Sequence, residues 1–199
     1  MAVTIHKANI AHARGIARVY VDAWRSTYAG LLPARALTGM SYERQTIEWA
    51  HQIRHKGLHC PILVAHDETG SVVGMASFGR ARLEDRPASA PFLASGDGNG
   101  TGEVFTLYVH PDRQDRGVGR VLLGAAFEGL VRGKGLNRAY VWVLGDNPAR
   151  YFYERMGGRY VADREEELWG VPVAQAAYGW TDLAAARARL GLVRPARFG

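Results

Sequence analysis

Gly117 and Gly119 stand with Gln114, Asp115, Arg116, Val118 and Arg120 where a strand-like run passes into a helix-like run. Val104 to Val109 is rich in β-branched and aromatic residues, and Pro111, which cannot donate to a ladder, ends it. From Val118 the apolar residues Val118, Val121, Leu122 and Ala125 follow the i, i+3, i+4, i+7 spacing of one helical face, so both glycines are expected on its first turn. A helix start leaves backbone N–H groups unpaired and partly positive, and glycine lets a ligand approach the backbone. With Arg113, Arg116 and Arg120 around it, the junction reads as a socket for a di- or polyphosphate.

Spacing separates the phosphate loops that compete for this reading. A Walker A loop needs G-x-x-x-x-G-K-[ST]; Gly133-Lys134 is followed by Gly135, and Glu128 stands where the first glycine belongs. A dinucleotide fingerprint needs G-x-G-x-x-G, and Leu122 takes its last position. What remains is Q-x-x-G-x-G, read as Gln114, Gly117 and Gly119 on a strand-to-helix crossover. Here the chain resembles the GNAT superfamily of N-acetyltransferases. A second stretch, Asn147-Pro148-Ala149-Arg150-Tyr151-Phe152-Tyr153-Glu154-Arg155-Met156-Gly157-Gly158, is similar to that family's second coenzyme A motif, with Asn147 as N-cap, Pro148 at the first helical position and Gly157 as C-cap. The two motifs come in the family's order with one strand, Arg138 to Leu144, between them.

The resemblance covers residues 103–158 and implies a set of roles. Acetyl-CoA is the cosubstrate, its pyrophosphate on Gln114, Asp115, Arg116, Gly117, Val118, Gly119 and Arg120, with Leu107, Tyr108 and Val109 offering backbone groups to the thioester. Tyr153 matches the tyrosine that protonates the departing sulfur; a phenol near pKa 10 keeps its proton at neutral pH. Glu103, at the start of the strand leading to the loop, matches a position from which relatives draw a base. Asn147 is expected to touch coenzyme A. Trp24 and Tyr28, four apart on one helical face, lie where relatives form the acceptor groove. Each has a plainer alternative: Glu103 as a strand-entry carboxylate, Tyr153 as a core aromatic, Asn147 as a cap only, Trp24 and Tyr28 as core. The acceptor implied is an amine-bearing small molecule or peptide, and a homodimer follows by family analogy.

These residues need a scaffold. Thr4 to Lys7 reads as a strand, Ala11 to about Tyr28 as a helix, and about Arg35 to Ile53 as a second helix interrupted near Gly39. Pro61 to Ala65 and Val72 to Arg80 form a hairpin across Asp67-Glu68-Thr69-Gly70. Residues 86–101 lack periodicity and read as a mobile surface loop. After the coenzyme motifs come a strand from Tyr160, a turn at Leu168–Pro172, a strand from Ala174 to Trp180 and a helix capped by Asp182. Hairpins joined to a parallel crossover give an α+β class: a mixed, mostly antiparallel sheet flanked on both faces by helices. The resemblance adds that the two central strands, ending at Val109 and near Leu144, splay apart.

With 199 residues, 47% of them hydrophobic, the chain fits one domain, 1–199, with a tail from about 191. It has no apolar run of about 18 residues, and Met1 to Asn9 lacks the apolar region of a signal peptide, so a soluble cytoplasmic protein is expected, with no membrane partner. Its net charge of +6 leaves a basic nucleic-acid-associated protein as one alternative, although no motif that reads RNA or DNA is visible. A coenzyme A-binding sensor without turnover is the other. His51, His55 and His59 recur every four residues without H-E-x-x-H or a completing carboxylate, so no metal is expected. The single Cys60 reads as a small hydrophobe, and Gly74 to Gly79 is one residue too long for a hydrolase elbow.

Overall fold

The computed structural model describes residues 2–56, 59–82, 100–168 and 170–191. Nearly all of the expected 86–101 loop and of the tail lies outside them, as does Trp169 within the expected turn. The elements are β1 (Thr4–Lys7), α1 (Ala13–Thr27), α2 (Ala34–Thr38), α3 (Tyr42–Lys56), β2 (Ile62–His66), β3 (Val72–Arg80), β4 (Gly102–Val109), α4 (Val118–Lys134), β5 (Ala139–Leu144), α5 (Ala149–Arg155), β6 (Arg159–Leu168), β7 (Val171–Trp180) and α6 (Leu183–Arg189). Among the described residues, seven strands form one mixed, mostly antiparallel sheet in the order β1-β2-β3-β4-β5-β7-β6. No helix of the described residues is long and apolar enough to cross a membrane.

The chain divides into two compact units, the first running to Ser77 and including Thr106–Ala126. In it β2 pairs antiparallel with β1 and β3. Ile16, Ala17 and Val19 of α1 and Trp49 of α3 pack on Val64 of β2 and Met75 of β3. Successive strand residues face opposite ways. Next to Met75, Gly74 therefore meets the other layer: a Cβ there would lie 2.8 Å from Leu122 Cδ1 and 3.1 Å from Val118 Cγ1 of α4. Helices thus cover both faces of β3, and glycine is what lets α4 come so close.

The second unit holds Phe78–Phe105 and the chain from Phe127 to Arg194. Its core joins Ala81, Tyr140, Val161, Ala162 and Ala177. β7 pairs antiparallel with β5 on one side and β6 on the other. The β4–β5 ladder is parallel and consists of Gly102↔Ala139 and Glu103↔Tyr140, although β4 continues to Val109 and β5 to Leu144. The Glu128 carboxylate, 2% exposed, takes Arg187 at 2.9 Å and Arg132 at 3.4 Å, which ties α6 to α4 through a buried charge. The β6–β7 strands are longer than expected, reaching Leu168 and starting at Val171, because Pro172 sits in β7 opposite Glu167 instead of in a turn.

Candidate active site

In the first unit, β4 ends at Val109, and the His110 amide donates to the Val73 carbonyl at 2.9 Å. A 3-10 turn, Pro111–Arg113, follows. Two left-handed residues then turn the chain into α4: Asp115 at φ 57° and Gly117 at φ 82°. Only Gly119 lies on the first helical turn; Gly117 precedes it, and its carbonyl accepts from Val121 N at 3.1 Å, the first bond of the helix. Gly117 falls outside the helix, contrary to expectation, because a left-handed residue cannot continue a right-handed helix but ends a loop well when it is glycine.

A Cβ on Gly117 would meet nothing within 4 Å, so the space before the helix start is open. The first amides of α4 have no acceptor within the helix. Val118 is buried at 1% exposure and anchors the turn, while Gln114, Asp115, Arg116, Gly117 and Arg120 are exposed. An amide-lined, open, glycine-led helix start fits the diphosphate of a coenzyme.

Arg113 and Gln114 have other duties. Arg113 Nη2 lies 3.4 Å from Oδ2 of Asp67, a carboxylate that also accepts from Thr69 N, Thr69 Oγ1 and Ser71 N. Those bonds, from the Thr69 hydroxyl above all, hold the Asp67 carboxyl below its ordinary pKa. Gln114 Nε2 donates to the Val109 carbonyl at 3.3 Å, folding the loop back on its own strand.

Trp24 and Tyr28 meet edge to face at 4.6 Å, as their spacing implies. Tyr28 is buried at 8% exposure. Tyr20, Trp49 and Tyr108 complete a cluster: the Tyr20 ring lies 5.6 Å from Trp49 and 5.2 Å from Tyr108, and Tyr108 lies 6.4 Å from Trp24. Burial raises the Tyr108 phenol well above its usual range. The cluster brings Trp24 and Tyr28 against the strand that carries Leu107 and Val109.

In the second unit, Glu103 is 3% exposed, accepts from the Tyr140 hydroxyl at 3.3 Å and lies 3.7 Å from Arg82 Nη2. Asn147, 4% exposed, accepts from Ala149 N at 2.8 Å through Oδ1. Pro148 is the N-cap of α5 and Met156 the C-cap, one residue inside the expected bounds; Gly157, at φ 81°, is the left-handed residue after the helix. Tyr153 is 5% exposed and stacks on Tyr178 at 6.5 Å, with Trp180 at 6.3 Å and Phe152 at 5.1 Å. The His51 and His55 rings lie 4.4 Å apart and tilted by 40° on the exposed part of α3.

Three residues without a sequence signal take part in the first unit's arrangement. Asp22 of α1 accepts from the Tyr42 hydroxyl at 2.6 Å and lies 3.3 Å from His110 Nε2. Nothing local marks them, because they meet only through tertiary packing.

Residues 16–158 match the model of the acetyltransferase (GNAT) family. The chain is 34% identical over 188 residues to the uncharacterized N-acetyltransferase YuaI of Bacillus subtilis (strain 168), covering 94% of this chain and 98% of that one. Its fold is similar to that of the PaiA N-acetyltransferase from Thermoplasma acidophilum in complex with coenzyme A, with TM-score 0.60 and 19% identity over 88% of this chain and 98% of that one. It is also similar to yncA from Salmonella typhimurium, solved with acetyl-CoA, with TM-score 0.61 and 23% identity over 92% and 95% of the two chains.

Proposed function

The chain belongs to the GNAT family of acetyltransferases, and we propose that it moves the acetyl group of acetyl-CoA directly onto the amine of a small molecule or peptide within a ternary complex. The observation that carries this reading is the start of α4, where Gly117 at φ 82° opens onto free space before the first amides of the helix, which have no acceptor within it. We read 1–199 as one catalytic domain, since the family match runs through both units.

Acetyl-CoA supplies an activated thioester carbonyl. Residues 114–120 hold its diphosphate, and backbone N–H groups of Leu107 to Val109 polarise the carbonyl. Glu103, whose carboxylate lies 3.7 Å from Arg82 Nη2 and accepts from the Tyr140 hydroxyl, takes the proton that the attacking amine must shed, directly or through water. The N–C bond forms, the C–S bond breaks, and Tyr153 gives its phenolic proton to the departing sulfur. Asn147 contributes to coenzyme binding while capping the turn before α5. Trp24 and Tyr28 wall the acceptor side.

Thermal-shift titration tests the reading. Acetyl-CoA at about 100 times its dissociation constant adds ~2.7 kcal/mol of stability, and NAD adds none. Gly119→Glu, which sets a carboxylate among the anion-binding amides, abolishes the shift. A shift with NAD alone, or an undiminished shift in Gly119→Glu, overturns it. Release of free thiol in the presence of amine pools then identifies the acceptor.

A further inference from the structure

We infer that Asp22 is a positioning residue for the coenzyme loop, acting through His110; this rests on the loop's proposed role in binding acetyl-CoA. His110 stands at the hinge between β4 and the loop. Its backbone is fixed to β3 by the bond to Val73 O, and its carbonyl accepts from Arg113 N at 2.8 Å. Its ring is the N-cap of the Pro111–Arg113 turn, with Nδ1 accepting from Asp112 N at 3.3 Å.

That cap works in one tautomer only. For Nδ1 to accept, the neutral imidazole must carry its hydrogen on Nε2, and a ring nitrogen's tautomer is set by what the other nitrogen meets. Nε2 faces Oδ2 of Asp22 at 3.3 Å, and a carboxylate can only accept. The Asp112 carboxylate lies 3.8 Å from Nδ1 but is 84% exposed, so the nearer and less exposed Asp22 has the stronger pull and favours the tautomer that caps the loop. The carboxylate is itself held, because its other oxygen takes the Tyr42 hydroxyl at 2.6 Å and Arg25 Nη1 reaches that hydroxyl at 3.4 Å. Without Asp22 the ring is free to place a hydrogen on Nδ1, where it opposes the Asp112 N–H. The turn that launches the anion-binding amides then loses its cap, and coenzyme binding must supply the ordering.

Asparagine is a good N-cap that needs no tautomer, and this makes the idea testable. Acetyl-CoA affinity is measured by calorimetry, with kcat and KM, for wild type, Asp22→Ala, His110→Asn and the double variant. Loss of one cap corresponds to about fivefold weaker binding. The expected result is ~5-fold weaker acetyl-CoA binding in Asp22→Ala with kcat within about twofold, and near wild-type binding in both His110→Asn and the double variant. In the double variant thermal stability still falls, because Tyr42 loses its acceptor. Equal weakening by Asp22→Ala in both backgrounds overturns the inference. A measurement on the intact protein is independent of variant folding: nitrogen chemical shifts of His110 report hydrogen on Nε2, and hydrogen on Nδ1 overturns it. Failure of wild type to bind acetyl-CoA refutes the loop's role instead, a distinguishable outcome.

Discussion

Glu103 and Tyr140 are joined twice, as Cα partners in the parallel β4–β5 ladder and through the Tyr140 hydroxyl, which donates to Glu103 Oε2 at 3.3 Å. Glu103→Gln keeps an acceptor for that hydroxyl while removing the proposed base. The expected outcome is a ~10²-fold lower kcat at neutral pH with normal folding, and partial recovery at alkaline pH, where the acceptor sheds its own proton. A pH–rate profile parallel to wild type refutes the assignment.

Tyr153→Phe leaves the ring between Tyr178 and Trp180 and removes one oxygen. Acetyl-CoA binding should persist while kcat drops by roughly 10²-fold, read by thiol release. Unchanged turnover would make Tyr153 a packing residue only.

Gly74 and Gly117 are glycines for different reasons, and alanine separates them. At Gly74 the new Cβ meets Leu122 Cδ1 at 2.8 Å and the Tyr108 carbonyl at 3.2 Å, so Gly74→Ala should destabilise by about 1–3 kcal/mol through overpacking. At Gly117 there is room but φ is 82°, so Gly117→Ala should lose about 1–2 kcal/mol to backbone strain alone. Urea midpoints measure both. Gly74→Val should be worse than Gly74→Ala, whereas Gly117→Asn should be milder than Gly117→Ala.

His12 and His66 lie 5.0 Å apart ring to ring, with His6 5.1 Å from His66. Burial, then repulsion between neighbouring rings, depresses the pKa of both His12 and His66. His12 Nδ1 also accepts from Asn9 N at 2.9 Å, a bond that protonation removes. The unfolded chain thus binds these protons more readily, and stability rises with pH across the window. It is fully present above about pH 6.5 and is lost as pH falls through the depressed values. Urea unfolding between pH 8 and pH 5 should show the decline, flattened in His66→Gln; an equal decline in both proteins counts against it.

The β4–loop–α4 junction is legible in sequence because each signal is local: a β-branched run, a proline, glycines and one helical period. Gly117's place before the helix is not, since only its left-handed backbone excludes it from the first turn. Trp24 and Tyr28 share a face by spacing, but the rings of Tyr20, Trp49 and Tyr108 reach them from elsewhere in the chain. Asp67 reads as a hairpin-turn residue, which it is. Its hold on Arg113, 46 residues away, has no local trace. That the β4–β5 ladder pairs Gly102 with Ala139 and Glu103 with Tyr140 is likewise revealed by no local spacing.

Arg113's attachment to Asp67 changes how the basic cluster around the loop behaves. A guanidinium already answered by a carboxylate contributes shape more than field, so a polyanion at long range feels a weaker pull than three arginines suggest. In the proposed socket, selectivity then rests on directional amides that ionic strength screens poorly, and it should discriminate among phosphate esters by fit at high salt, where a purely cationic patch would bind them indiscriminately.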